Sequence, residues 1–220
     1  IFHFLVAIAE KFLYIILKTV KILMLKKWNK LIKFSIQTLN QKGLIMNSWH
    51  SYPKVYALGH AALKNLYNNP VVVDEKIDGS QFSFGIFNGE IKCKSKNKEI
   101  DIYNPEKMFT KAVETVKELA PILHDGWAYR AEYLRQPKHN TIKYDRIPNK
   151  YLIIFDINDG LESYLPSGKK MEEAWRIGLG CAPIIAYNFD NNKLPILNII
   201  NDWLDRESIL GGSKIEGVVI

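Results

Sequence analysis

Val71-Val72-Val73-Asp74-Glu75-Lys76-Ile77-Asp78-Gly79-Ser80 runs from a short β-branched segment straight into an Asp-Gly turn. Three adjacent valines without helical spacing read as a buried strand, and Asp78-Gly79 ends it. Lys76 therefore stands where a strand meets a tight turn. A lysine held there gives up part of its water and can offer its amine as a nucleophile. Gly79, lacking a Cβ, lets the backbone come close to a bulky ligand. The same letters also fit a plain hairpin turn with Lys76 in solvent, so the decision falls to the flanking sequence.

Working outward, a helix is expected over about Leu58 to Leu66, closed by Asn68, Asn69 and Pro70. Downstream, Phe82, Phe84 and Ile86 alternate with smaller residues. Asn88-Gly89 then gives a strong hairpin signal, and Glu90 to Lys96 returns as the partner strand. Lys92, Lys94, Lys96 and Lys98 recur at every second position, which predicts one charged strand face, either solvated or turned to a polyanion. Asn104-Pro105 reads as the cap of a helix carrying Met108, Ala112, Val116 and Leu119 at helical spacing. Strands are expected at Trp127 to Leu134 and Tyr151 to Ile157, helices near Met171 to Gly178 and Ile196 to Leu204, and a last strand at Ile215 to Ile220. Hairpins interleaved with helices make the fold class α+β, not a doubly wound parallel sheet.

The chain has 220 residues, 47% hydrophobic and 24% charged. That is enough to bury a core and unlike a disordered or fibrous protein. Its two cysteines, Cys93 and Cys181, make no disulfide framework and no zinc spacing, and read as reduced thiols of an intracellular, cytoplasmic protein. The formal charge of +7 is local: residues 1–45 hold eight lysines and one acidic residue, and the remainder balances. The basic excess therefore says nothing about partners of the main body. Residues 1–45 are expected to be a leader, either spurious upstream translation or an extra helix. Their apolar runs are cut by Glu10, Lys11, Lys18 and Lys21, too short for a stable membrane span, although a helix lying on a membrane surface fits the pattern. A domain over residues 46–220 follows.

On these residues the chain resembles the covalent nucleotidyltransferases: ATP-dependent RNA and DNA ligases and messenger-RNA capping enzymes. Lys76-Ile77-Asp78-Gly79 looks like motif I and Cys93-Lys94-Ser95-Lys96-Asn97 like motif Ia. Ala131-Glu132-Tyr133-Leu134 is similar to motif III, Leu152-Ile153-Ile154-Phe155-Asp156-Ile157 to motif IIIa, and Ile215-Glu216-Gly217-Val218-Val219-Ile220 to motif IV. All five stand in family order. The stretch Glu132 to Asn140 with Tyr144-Asp145-Arg146, the run Gly211 to Val219, and Tyr52-Pro53-Lys54-Val55-Tyr56-Ala57-Leu58-Gly59-His60 resemble phage-type RNA ligase domains.

The resemblance implies an adenylation domain with Lys76 as the nucleophile that takes AMP from ATP. It implies ATP contacts by Glu75, Asp78, Gly79, Lys96, Glu132 and Phe155, and magnesium or manganese held by Glu216. It further implies sealing of RNA ends in a cell or by a viral or phage-encoded protein, and gives no oligomeric state. Lys96 stands where the family has arginine, a point charge in place of a planar fork. Asp78 is the residue of DNA ligases and capping enzymes where one group of RNA ligases has histidine, which keeps DNA as an alternative substrate. The lysines of motif V are not found, so the domain is expected to be incomplete at its C-terminus. A non-catalytic nucleotide- or RNA-binding relative is the alternative of another class.

Overall fold

The computed structural model describes residues 49–160, 163–189 and 196–220. The expectations for residues 1–45 lie outside them. Nine strands and three α-helices are described: β1 Val71–Lys76, β2 Ser80–Phe87, β3 Glu90–Ser95, β4 Glu99–Ile100, α1 Thr110–Leu119, β5 Ala128–Tyr133, β6 Leu152–Asn158, α2 Ser167–Arg176, β7 Gly180–Cys181, β8 Ile184–Phe189, α3 Ile196–Leu204 and β9 Gly217–Val219. They form a six-stranded sheet in the order β4-β3-β2-β5-β6-β7 and a three-stranded sheet in the order β8-β1-β9. Every pairing is antiparallel except β6 with β7. The α+β expectation holds.

Alternation along β2 and β5 divides the larger sheet into two unlike faces. Phe82, Phe84, Tyr129, Ala131 and Tyr133 point to a core completed by Ala112, Val113, Val116 and Leu119 of α1 and Ala174 of α2. The opposite face carries Ser83, Arg130, Glu132 and Asn158, polar residues that the strand pattern brings side by side. Asn88 and Gly89 adopt φ values of 57° and 81°, as the β2–β3 hairpin requires. A second apolar cluster of Ile77, Leu134, Tyr144, Ile153 and Leu210 packs beneath the turn that follows β1.

Several local expectations are corrected. Leu58 to Leu66 is not an α-helix: Gly59 turns at φ +90°, and only two short 3-10 turns, Ala61–Leu63 and Leu66–Asn68, follow. The helix after Asn104-Pro105 begins later, with Phe109 at its N-cap, and Met108 is exposed. The evenly charged strand face does not exist. Lys94 is buried, its ammonium donating to the carbonyl of His50 and lying 4.6 Å from the ring of Trp49, and burial pushes it down to about 8. Lys98 pairs with Glu106 at 3.0 Å. β8 was unforeseen although Ile184-Ile185-Ala186-Tyr187 is rich in strand formers.

Lys170 of α2 is buried and ties the two sheets together. Its Nζ donates to Asp74 Oδ2 of β1 at 2.6 Å and to the Phe155 carbonyl of β6 at 3.0 Å. Removing one partner strands the other charge in a dry site, whereas replacing both by apolar groups does not. Lys170→Met is expected to cost ~3–5 kcal/mol in urea unfolding. The double variant Lys170→Met, Asp74→Leu is expected to recover most of that loss.

Candidate active site

Register sets the site. Antiparallel pairing of β1 with β9 places Lys76 opposite Gly217. Glu216, the residue before β9, then reaches Lys76, and its Oε1 accepts a hydrogen bond from Lys76 Nζ. Both side chains keep contact with water, Lys76 at 49% and Glu216 at 30% exposure. The nucleophile candidate and the candidate metal ligand are thus joined although they stand 140 positions apart in sequence.

Glu132 of β5 completes the group. Burial pushes its carboxyl up to about 8; the opposing charge of Lys76 is the next influence, Glu216 and Asp78 add to the rise, and Lys96 works against it. Lys96 itself is exposed, just past the end of β3. Gly79 sits hard against β5: a Cβ there would lie 2.8 Å from Leu134 Cδ1, 2.9 Å from the Tyr133 carbonyl oxygen and 3.0 Å from Glu132 Oε2. The close approach that requires glycine is therefore one between backbones, and it sets the turn beside Glu132.

Asp78 is buried in the scaffold. Its carboxylate accepts from the backbone N–H of Thr141 at 2.8 Å, that of Ile142 at 2.7 Å and the Asn140 side chain at 3.1 Å. Its own N–H donates to Tyr144 Oη at 2.8 Å. It clamps the 139–144 loop onto the turn beside Lys76. Glu75 is also buried and faces away from Lys76, as neighbours in a strand do. It accepts from Ser208 Oγ at 2.5 Å and from the Ile209 N–H at 3.1 Å, and burial raises its pKa. That contact fixes the loop that leads towards Glu216. Gly211 and Gly212, at φ +73° and +76°, lie so close to Asp145 that no side chain fits there.

Phe155 stands at a bulge. Arg130 pairs with Asp156 and Ala131 with Ile154, so Phe155 is the extra residue of β6. The bulge lets Phe155 and Asp156 share the polar side while Ile154 and Ile157 stay in the core. The ring of Tyr52 meets Phe155 edge-on at 5.1 Å, and its hydroxyl donates to Asp156 Oδ2 at 3.0 Å. Burial pushes Asp156 up to about 6 and Tyr52 well above the usual phenol range. Arg130, fully buried, donates to Ser83 Oγ at 3.0 Å, Asn158 Oδ1 at 3.2 Å and the His50 carbonyl at 2.9 Å. Trp49–Tyr52 is thereby strapped across the polar face.

The pairing thus brings Lys76, Glu132, Glu216 and Lys96 into one electrostatic group. Phe155 is linked to it through Lys170 and β1, while Glu75 and Asp78 hold loops. Motif reading leaves out Lys170 and Arg130, and it includes Tyr52 without assigning it a contact. Only Lys170 carried a signal, as a lysine on the stripe that Ala174 and Ile177 continue at helical spacing. Among the described residues, no three His, Cys, Asp or Glu side chains converge to hold a metal. The carboxylate of Glu216 is a hard oxygen donor suited to magnesium or manganese, with further ligands supplied by phosphate and water.

The sequence profile of the RNA ligase family matches residues 69–220. None of the curated proteins matches the chain. Among solved structures, a ligand-free variant of Naegleria gruberi RNA ligase is similar with a TM-score of 0.61, at 15% identity over 79% of this chain and 53% of that one. A variant of the same ligase with ATP and manganese gives a TM-score of 0.62 at 15% identity, covering 79% and 53%. Another with ATP and manganese gives 0.57 at 15%, covering 79% and 56%. At such identity the likeness is one of fold, and the chain spans about half the length of the relatives it matches.

Glu132 makes stability depend on pH. A carboxyl raised from 4.5 to about 8 on folding contributes stability that is complete below its unfolded pKa and lost as pH rises through the folded one. Glu132→Gln is therefore expected to lose less stability than the wild type between pH 5 and pH 9, read by urea unfolding at each pH.

Proposed function

Since the chain belongs to the RNA ligase family, we propose that it is an ATP-dependent RNA ligase whose first step is AMP transfer to Lys76. The observation that carries this reading is the Lys76–Glu216 pair set up by the β1–β9 register, with Glu132 withdrawn from water beside it. Lys76 Nζ attacks the α-phosphorus of ATP; an N–P bond forms, the P–O bond to pyrophosphate breaks, and the amine sheds its proton. Such a transfer depends on positioning and charge more than on covalent help. A divalent cation would neutralise charge growing on the phosphate oxygens. Glu216 would hold that cation, and a carboxylate so engaged would release Lys76 from its ion pair.

Glu132 accepts a hydrogen bond from a ribose hydroxyl, with Lys96 beside it, and Phe155 offers its ring to the adenine. Glu75 and Asp78 act one step removed, by holding the 208–209 and 140–142 segments that frame the lysine. AMP then passes from Lys76 to a 5′-phosphate end, and a 3′-hydroxyl displaces it to seal the strand. The substrate is RNA. The Asp78 carboxylate, which kept DNA open in the sequence, is spent on the loop and speaks for neither polymer. No described helix is long and apolar enough to cross a membrane. A cytoplasmic setting, in a cell or a phage-infected one, accords with the two free thiols.

Incubation with ATP and manganese or magnesium is expected to add the mass of one AMP to the protein. Lys76→Ala is expected to abolish the gain, and Phe155→Ala to raise the ATP concentration needed by about tenfold, the loss of one base–aromatic stack. Covalent AMP on Lys76→Ala would refute the assignment. Comparison of nicked RNA with nicked DNA then tests the polymer.

A further inference from the structure

Residues 54–60 are absorbed neither by the core nor by the chemistry above, although they make an ordered surface. None of them is buried: Val55 is 60% exposed, Leu58 45% and Tyr56 37%. Apolar side chains kept in water on a well-defined turn call for a partner.

The rings of Tyr56 and His60 stack at 4.3 Å with 28° between planes. Lys54 Nζ lies 5.1 Å from the centroid of the Tyr56 ring. Gly59, at φ +90°, reverses the chain so that His60 returns to Tyr56, and the His60 N–H closes the turn on the Ala57 carbonyl at 3.1 Å. His60 Nδ1 accepts from the Ala62 N–H at 3.1 Å. That bond fixes the ring and leaves Nε2 to carry the proton of the neutral form and to donate outward.

Charge says what the surface fits. From Trp49 to Val73 the sequence contains Lys54, Lys64, His50 and His60 and no aspartate or glutamate. An aromatic ledge beside a lysine, on a stretch of chain without acidic residues, is the chemistry that receives a base and its backbone in a single strand. The ledge also adjoins the site. Tyr56 stands four positions after Tyr52, at most ~14 Å of chain, and the Tyr52 ring meets Phe155.

We propose that Tyr56 and His60, with Lys54, form a stacking ledge for a base of single-stranded RNA close to the reacting end. This rests on RNA being the substrate, as proposed above. A base stacks on the face of Tyr56 that the Lys54 ammonium covers in the absence of RNA; His60 backs the ring, and Lys54 swings aside to the neighbouring phosphate. Stacking on a π-face accepts any base, so the ledge would hold RNA without reading its sequence.

The test uses the full chain and a short 5′-phosphorylated single-stranded RNA, with affinity read by fluorescence anisotropy. Tyr56→Ala is expected to weaken binding by about tenfold, since one base–aromatic stack is removed. Tyr56→Phe is expected to bind as the wild type does. AMP loading of Lys76 from ATP, measured without RNA, is expected to be unchanged in both, because the ledge lies outside the nucleotide machinery. Wild-type RNA affinity in Tyr56→Ala would overturn the ledge. So would a loss shared equally by Tyr56→Phe, or one produced by Lys54→Ala while Tyr56→Ala stays neutral. If no variant and no wild-type protein takes up AMP, the ligase reading falls, while the RNA affinities still decide the ledge.

Discussion

A buried ammonium between two sheets is the constraint on which the site depends. Lys170 reaches from α2 to Asp74 on β1 and to the carbonyl of Phe155 on β6. Asp74 lies two residues before Lys76 on the same face of its strand. One side chain therefore ties the strand of Lys76 to the bulge that presents Phe155. Such a pair adds little net stability over an apolar replacement, because removing two charges from water costs about what their attraction returns. What it fixes is relative placement, which an apolar contact would leave free to slide.

The carboxylates around Lys76 divide according to their surroundings. Glu216 keeps partial contact with water and holds the lysine directly. Glu132 is withdrawn from water and near two other acids, so it shares protons at a pH where an ordinary glutamate has none. Asp78 and Glu75 are saturated by donors from the loops they hold. Four acids within a short distance thus serve different ends. Two face Lys76, and two organise the chain that carries it.

Much of this is legible in the amino-acid sequence. The Asn88-Gly89 hairpin follows from period-two alternation and turn chemistry, and β1 from its run of β-branched residues closed by an Asp-Gly turn. The ordered strings around Lys76, Glu132 and Glu216 identify residues that pairing then brings together. Asp78 and Glu75 were read as nucleotide contacts because motifs report position along the chain and not the direction of a side chain. The lysines from 92 to 98 read as one charged face, solvated or turned to a polyanion, since spacing cannot show that Trp49 and the His50 carbonyl cover Lys94. Lys170 was hidden for the same reason, being a charge whose partners lie on two distant strands. The 58–66 segment looked helical by composition, but one left-handed glycine decided against it.

The most direct measurement is peptide mapping of the protein after reaction with ATP and manganese, with fragments sequenced by mass spectrometry. The expected result is AMP on Lys76 alone, lost in acid and kept in alkali, as an N–P bond requires. AMP on another lysine, or on a hydroxyl through an acid-stable bond, would contradict the placement of the nucleophile at the end of β1.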